Sequence, residues 1–257
     1  MSATDRQAAT LRRPSLIFLT ILAVFIGSGI LLWYGTGPTR LAAFGFVLAG
    51  WIVSLCLHEY AHAATAYHSG DRSVVEKGYL TLNPLRYSHV LLSIVLPLVF
   101  VLLGGIGLPG GAVYINPHAL RNRFRQSLVS AAGPLTNVAF TVALAIGIGF
   151  ALSGGLPHAA FWAAAAYLCL LQLTASLLNL LPIPGLDGWG IAEPWLPEEW
   201  ITNGRKVAPY GMLILFALLW EPRIGGAFFD GIYRLLQALG VPLELVAAGS
   251  TLFRFWA

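Results

Sequence analysis

The sequence predicts an all-α polytopic membrane protein with about six transmembrane helices, a re-entrant hairpin and a short β-like membrane-associated element. Three observations lead there. Hydrophobic residues make up 57% of the 257 positions and charged residues only 10%, where a soluble domain carries about a quarter charged. The apolar residues fall in runs long enough to cross a hydrocarbon core, which takes roughly 20 helical residues. The few ionisable and amide side chains inside those runs gather at one depth.

The net charge of +4 is modest and carried mostly by Arg. In so apolar a chain it orients the protein in the bilayer, and no nucleic-acid motif accompanies it. Cys56 and Cys169 both lie in apolar runs, so they read as packing residues and not as a disulfide framework or a Cys-type zinc site.

The first apolar run, residues 16 to 34, follows a polar stretch with Arg6, Arg12 and Arg13. It is longer than a signal-peptide core and lacks a clean small-residue cleavage site, so it reads as a span that leaves the N-terminus in the cytoplasm. The second span, about 41 to 67, carries His58-Glu59-Tyr60-Ala61-His62. Positions i and i+4 share a helix face, so His58 and His62 can offer two imidazoles to one cation, with Glu59 beside it. This is the HExxH pattern of zinc hydrolases. Ionisable groups inside an apolar span are costly and therefore point to function. Counted at 1.5 Å per residue, His58 lies about 26 Å along a span whose apolar core is about 30 Å thick, near the cytoplasmic face.

After Gly70, residues 73 to 82 include Val74, Val75, Tyr79, Leu80 and Thr81 before Asn83-Pro84, a strand-like composition. The apolar stretch 88 to 108 is divided by Pro97 and loosened by Gly104, Gly105 and Gly107. A full crossing would put Arg121, Arg123 and Arg125 outside, against the positive-inside rule, so the stretch is read as entering and returning on the cytoplasmic side. The next span, about 126 to 152, carries Gly133-Pro134-Leu135-Thr136-Asn137. Its small residues permit close helix approach, and Asn137 either bonds a neighbouring helix or acts in the site. The fifth span, about 159 to 181, ends in Pro182-Ile183-Pro184-Gly185-Leu186-Asp187-Gly188, which turns the chain back and can return Asp187 to the depth of His58. A short apolar run, 207 to 220, follows. Beyond it, Phe228, Ile232, Leu235, Leu236 and Leu239 fall on one face of an amphipathic helix, 224 to 239.

Three residues compete to be the third protein ligand. His68 has the spacing of an extended HExxHxxGxxH site, but Thr65 stands where that site needs glycine. Glu76 sits beside Lys77 in a polar loop and reads as a solvated charge. Asp187 is preferred.

With these motifs in order, residues 41 to 190 resemble the site-2 protease family of intramembrane zinc metalloproteases, in a compact bacterial form. The resemblance rests on His58 to His62, on Gly133 to Asn137 and on Asn179 to Gly188, with Gly78 to Pro84 as a weaker linking match. Trp189 departs from it, where many relatives have a second glycine. The resemblance implies one Zn2+ per chain held by His58, His62 and Asp187, with Glu59 as general base toward water on the metal. It also implies transmembrane protein segments as substrates, with Asn179 and the 73 to 82 element holding the substrate extended. The chain is then one integral membrane domain: tail and first span 1 to 40, catalytic core 41 to 190, C-terminal span and amphipathic segment 191 to 257. Its place is the cytoplasmic membrane of a prokaryote, with lipid bilayer and substrate as partners. The rival functions are a non-proteolytic zinc-binding adaptor and a metal transporter. Glu59 weighs against the adaptor, since a structural site needs no base, and polar residues gathered at one depth weigh against a transport pathway.

Overall fold

The computed structural model describes residues 13–87, 99 and 113–256. Helix α1, Leu16–Tyr34, starts where the Ser15 side chain accepts from the Phe18 amide and stops at Gly35, whose φ of 65° is left-handed. Helix α2, Thr39–Ser69, runs 31 residues without interruption and carries the HExxH motif. Helix α3, Ser73–Glu76, is a single turn. Helix α4, Arg123–Ser153, is capped by the Asn122 side chain and keeps Pro134 inside it. Helix α5, Ala159–Asn179, is followed by the short helix α6, Asp187–Ala192. Helices α7, Glu198–Val207, α8, Gly211–Trp220, α9, Pro222–Ala238, and α10, Leu243–Phe253, complete the chain.

Among the described residues, α1, α2, α4 and α5 are long and apolar enough to cross a membrane. They are not equal. The apolar window of α5 is 78% buried and that of α2 is 67% buried, against 17% for α1 and 28% for α4. Helices α2 and α5 are therefore the protein-facing centre, and α1 and α4 show most of their surface to the surroundings. Composition explains how α5 fits there. Its buried run Ala163, Ala164, Ala165 and Ala166 presents no long side chain, and Gly249 of α10 packs directly on the Ala163 carbonyl. Small residues let backbones approach where apolar bulk would hold them apart.

One expectation is met in part and another changes. The span count is four among the described residues, or five if the segment from Glu198 to Ala238 is one broken span, because the chain bends by 89° before α9. At that bend Glu221 accepts from the Ile224 amide and Pro222 opens the new helix, which ends α8 after 10 residues, about 15 Å and half a hydrocarbon core. The stretch 73 to 82, read as strand-like, is helical through α3 and a 3-10 turn at Tyr79–Thr81. The cause is local. Asp71 accepts from both the amide and hydroxyl of Ser73, which turns the backbone, and Gly78 and Leu82 adopt φ of 74° and 55°. Val74, Tyr79 and Leu80 bury themselves against Ala63 and Ala66 of α2, where a β pattern would have needed a paired strand. The re-entrant element at 88 to 108 lies, apart from residue 99, outside the described residues. In α9, Ile232 and Leu236 are fully buried, whereas Leu235 and Leu239, expected on the same face, are exposed.

Candidate metal centre

The centre is built on α2. Because α2 continues unbroken through residue 69, His58 and His62 lie one turn apart on one face, with their Nε2 atoms 3.0 Å from each other. His58, Glu59 and His62 are 3%, 2% and 5% exposed, so each polar atom needs a partner inside the protein. Helix α4 supplies two. The Val129 carbonyl lies 2.7 Å from Nδ1 of His62 and can only accept, so that nitrogen carries the proton. Asn137 Oδ1 stands 3.1 Å from Nδ1 of His58 in the same role. Both imidazoles thus turn an Nε2 lone pair toward the common point, the arrangement that orients metal-binding histidines. Asn137, read from sequence as either a helix-bonding or a site residue, contacts His58 directly.

Gly133 of α4 explains the small residue in its motif. A Cβ there would run into Nε2 of both His58 and His62, so glycine keeps open the space in which the donors meet. Gly133→Ala is expected to lower zinc affinity by roughly 10- to 100-fold, the range for a disturbed ligand shell, while leaving the helical circular-dichroism spectrum unchanged. Equal zinc content in the variant after dialysis against a competing chelator would remove this role from Gly133.

Asp187 arrives from the other side of the bundle. The chain leaves α5 at Asn179, turns at Gly185 with φ of 97°, and opens α6 with Asp187 as its first residue. A Cβ on Gly185 would strike the Ala208 carbonyl, and one on Gly188 would strike the Leu180 and Leu181 carbonyls, so both glycines allow backbone approaches that any side chain would block. The result brings Asp187 Oδ2 to 3.2 Å from His58 Nε2 and Oδ1 to 3.3 Å from His62 Nε2. Zinc–ligand bonds of about 2.0–2.1 Å in a tetrahedral site place neighbouring donors about 3.3 Å apart. The donor spacing of 3.0 to 3.3 Å fits that metal. Glu59 stands beside the three, its Oε1 3.9 Å from His58 Nε2 and its buried Oε2 without a hydrogen-bond partner among the described residues. His68 and Glu76, the other candidate ligands, are exposed and lie apart from this cluster.

Comparison with known proteins agrees with this chemistry. No family model matches the chain, and no solved structure matches it. A protein of Mycolicibacterium smegmatis, provisionally named zinc metalloprotease Rip2, is 46% identical over 253 residues, 95% of each chain. One of the same name from Mycobacterium tuberculosis is 44% identical over all of this chain and 99% of its own length. YwhC of Bacillus subtilis, also provisionally named a zinc metalloprotease, is 30% identical over 75% of this chain and 91% of its own. The chain belongs to the site-2 protease family of zinc metalloproteases.

In this member of the family, Trp189 packs on α7. Its ring lies over Gly204 of α7, where a Cβ would collide with it, so the departure from the family pattern is absorbed by a glycine 15 positions on. Asn179 lines a small cavity with Trp51, Ser54, His58 and Asn137, with a volume of about 10 Å³, room for about one water. The sequence reading passed over Asp71. It is 1% exposed, and besides holding the Ser73 turn its Oδ2 accepts from the Asn116 amide at 2.8 Å. That bond ties residues 113 to 116 to the end of α2, and the Val113 amide faces the Glu59 carboxylate. The only sequence signal was an Asp two positions before Ser73, which announces a turn but not a contact with a residue 45 positions away.

Proposed function

We propose that this metalloprotease hydrolyses peptide bonds within transmembrane segments of other membrane proteins. The observation that carries the reading is the position of the three donors and Glu59. His58, Glu59 and His62 are buried inside the bundle and Asp187 meets them there, with His58 about 28 Å along α2 at 1.5 Å per residue, in a helix long and apolar enough to span. A soluble substrate loop has no need of a centre buried there. Residues 41 to 190 form the catalytic core, with the N-terminus and the centre toward the cytoplasm, by the arginines at both 12–13 and 121–125.

His58, His62 and Asp187 hold one Zn2+, which when bound polarises a scissile carbonyl and makes water a stronger acid. Glu59 takes the proton of the attacking water and returns it to the departing amide nitrogen, a role for which its unpartnered Oε2 is poised. Asn137 keeps His58 in its working tautomer. A transmembrane helix bonds its own amides and carbonyls, so the substrate unwinds locally before attack, and Asn179, beside His58, bonds the opened backbone. Strand addition along 73 to 82 has no support, because that stretch is helical.

The test uses purified protein in lipid vesicles, given a single-span substrate and the same peptide sequence presented in soluble, unstructured form. Cleavage of the spanning substrate that ceases with a zinc chelator and returns with zinc supports the reading. Cutting of the soluble peptide alone overturns intramembrane cleavage, and zinc binding without cutting of either favours the adaptor.

A further inference from the structure

Away from the metal centre, α5, α9 and α10 enclose a second cavity of about 590 Å³, within the range of small-molecule sites. Its lining changes character along α10, from Leu243 and Val246 to Ser250 and Arg254, while α5 contributes Tyr167 and Leu170, and α9 contributes Phe229.

Two polar side chains, Tyr167 and Arg254, line its polar end. Tyr167 is 2% exposed, and its hydroxyl stands beside Ser250 and Arg254. Among the described residues the Arg254 Nε is buried without an acceptor, and no acidic side chain forms an ion pair with Arg254. Buried donors without acceptors call for an explanation. Both residues line the same cavity, and Arg254 is cationic. An anion with several acceptor oxygens complements such a lining.

Depth narrows the choice. Phe44, near the start of α2 and at the opposite end from His58, stacks on Phe253, with Phe255 and Trp256 edge-on to it. Aromatic clusters of this kind mark the membrane–water interface, where lipid headgroups lie. Arg254 sits between Phe253 and Phe255 in the chain, so the polar end of the cavity is at headgroup level and the apolar end extends into the acyl region.

We propose that this cavity binds an anionic phospholipid, its phosphodiester on Arg254 and the Tyr167 hydroxyl and an acyl chain along Leu170, Phe229 and Val246. The site faces the leaflet opposite the metal centre and braces α10 against α5.

The test is native mass spectrometry of the full-length protein in nonionic detergent, offered phosphatidylglycerol or phosphatidylcholine with matched chains. The wild type is expected to retain phosphatidylglycerol at least tenfold better. Arg254→Gln and Tyr167→Phe each remove that preference, and Val246→Trp, which fills the apolar part, removes retention of both lipids. Tyr167→Phe, a loss of one oxygen, keeps the test decisive if Arg254→Gln does not fold, and unchanged zinc content in each variant certifies the fold. Equal retention of the two lipids by the wild type overturns the proposal, as does undiminished preference in Tyr167→Phe and Arg254→Gln. Displacement of phosphatidylglycerol by millimolar inorganic phosphate overturns the acyl part, since a free anion would then suffice.

Discussion

Glu59→Gln is expected to lower cleavage of a transmembrane substrate by about 10²- to 10⁴-fold, the usual contribution of a positioned general base, while zinc content stays at that of the wild type. The reason is geometric. The three closest donors are His58, His62 and Asp187, within 3.0 to 3.3 Å of one another, whereas Glu59 Oε1 stands 3.9 Å from His58 Nε2. Glutamine keeps the shape and one carbonyl oxygen in a site where the side chain is 2% exposed, so packing survives and only proton transfer is lost. Metal analysis and cleavage measured on one preparation separate the two effects. Loss of zinc in Glu59→Gln would make Glu59 a ligand and would undo its assignment as base. Full cleavage with full zinc would leave the protease without a base and favour another activity.

Asp187→Ala is expected to release the zinc, and His68→Ala to retain it. Asp187 contacts both imidazoles, and its removal leaves two nitrogens to hold the ion, so the loss in affinity exceeds the roughly 10- to 100-fold attached to outer partners. Activity falls with it and returns only partly with excess zinc. His68 is exposed and packs edge-on against Tyr67, so its loss changes neither property. Equilibrium dialysis against a chelator of known affinity distinguishes these results. Zinc retained by Asp187→Ala and lost by His68→Ala would reverse the ligand assignment.

The HExxH spacing was legible because helical geometry alone puts i and i+4 on one face, whatever surrounds them. The long helices were legible for a similar reason, since hydropathy is a local property. Residues 73 to 82 were misread because Val, Tyr and Thr favour strands only where a partner strand and a half-buried face exist; Asp71 and the Ala63–Ala66 surface of α2 supplied a different environment. Leu235 and Leu239 were placed on the right helix but not on its buried side, because periodicity gives a face and not what covers it. Asp71 and the Val129 carbonyl escaped altogether, one because its partner Asn116 is distant in the chain, the other because a backbone acceptor leaves no mark on composition.

By itself, the sequence determined that this is an apolar, helical chain with a zinc-type His-Glu-His face, since composition and helical period are local. Only the tertiary structure decided which further residues reach that face. It brings Asp187 across from the end of α5, sets Val129 and Asn137 behind the two imidazoles, and makes Gly133 the opening between them. Contacts between elements depend on how closely backbones pack, and that distance is set by many residues together.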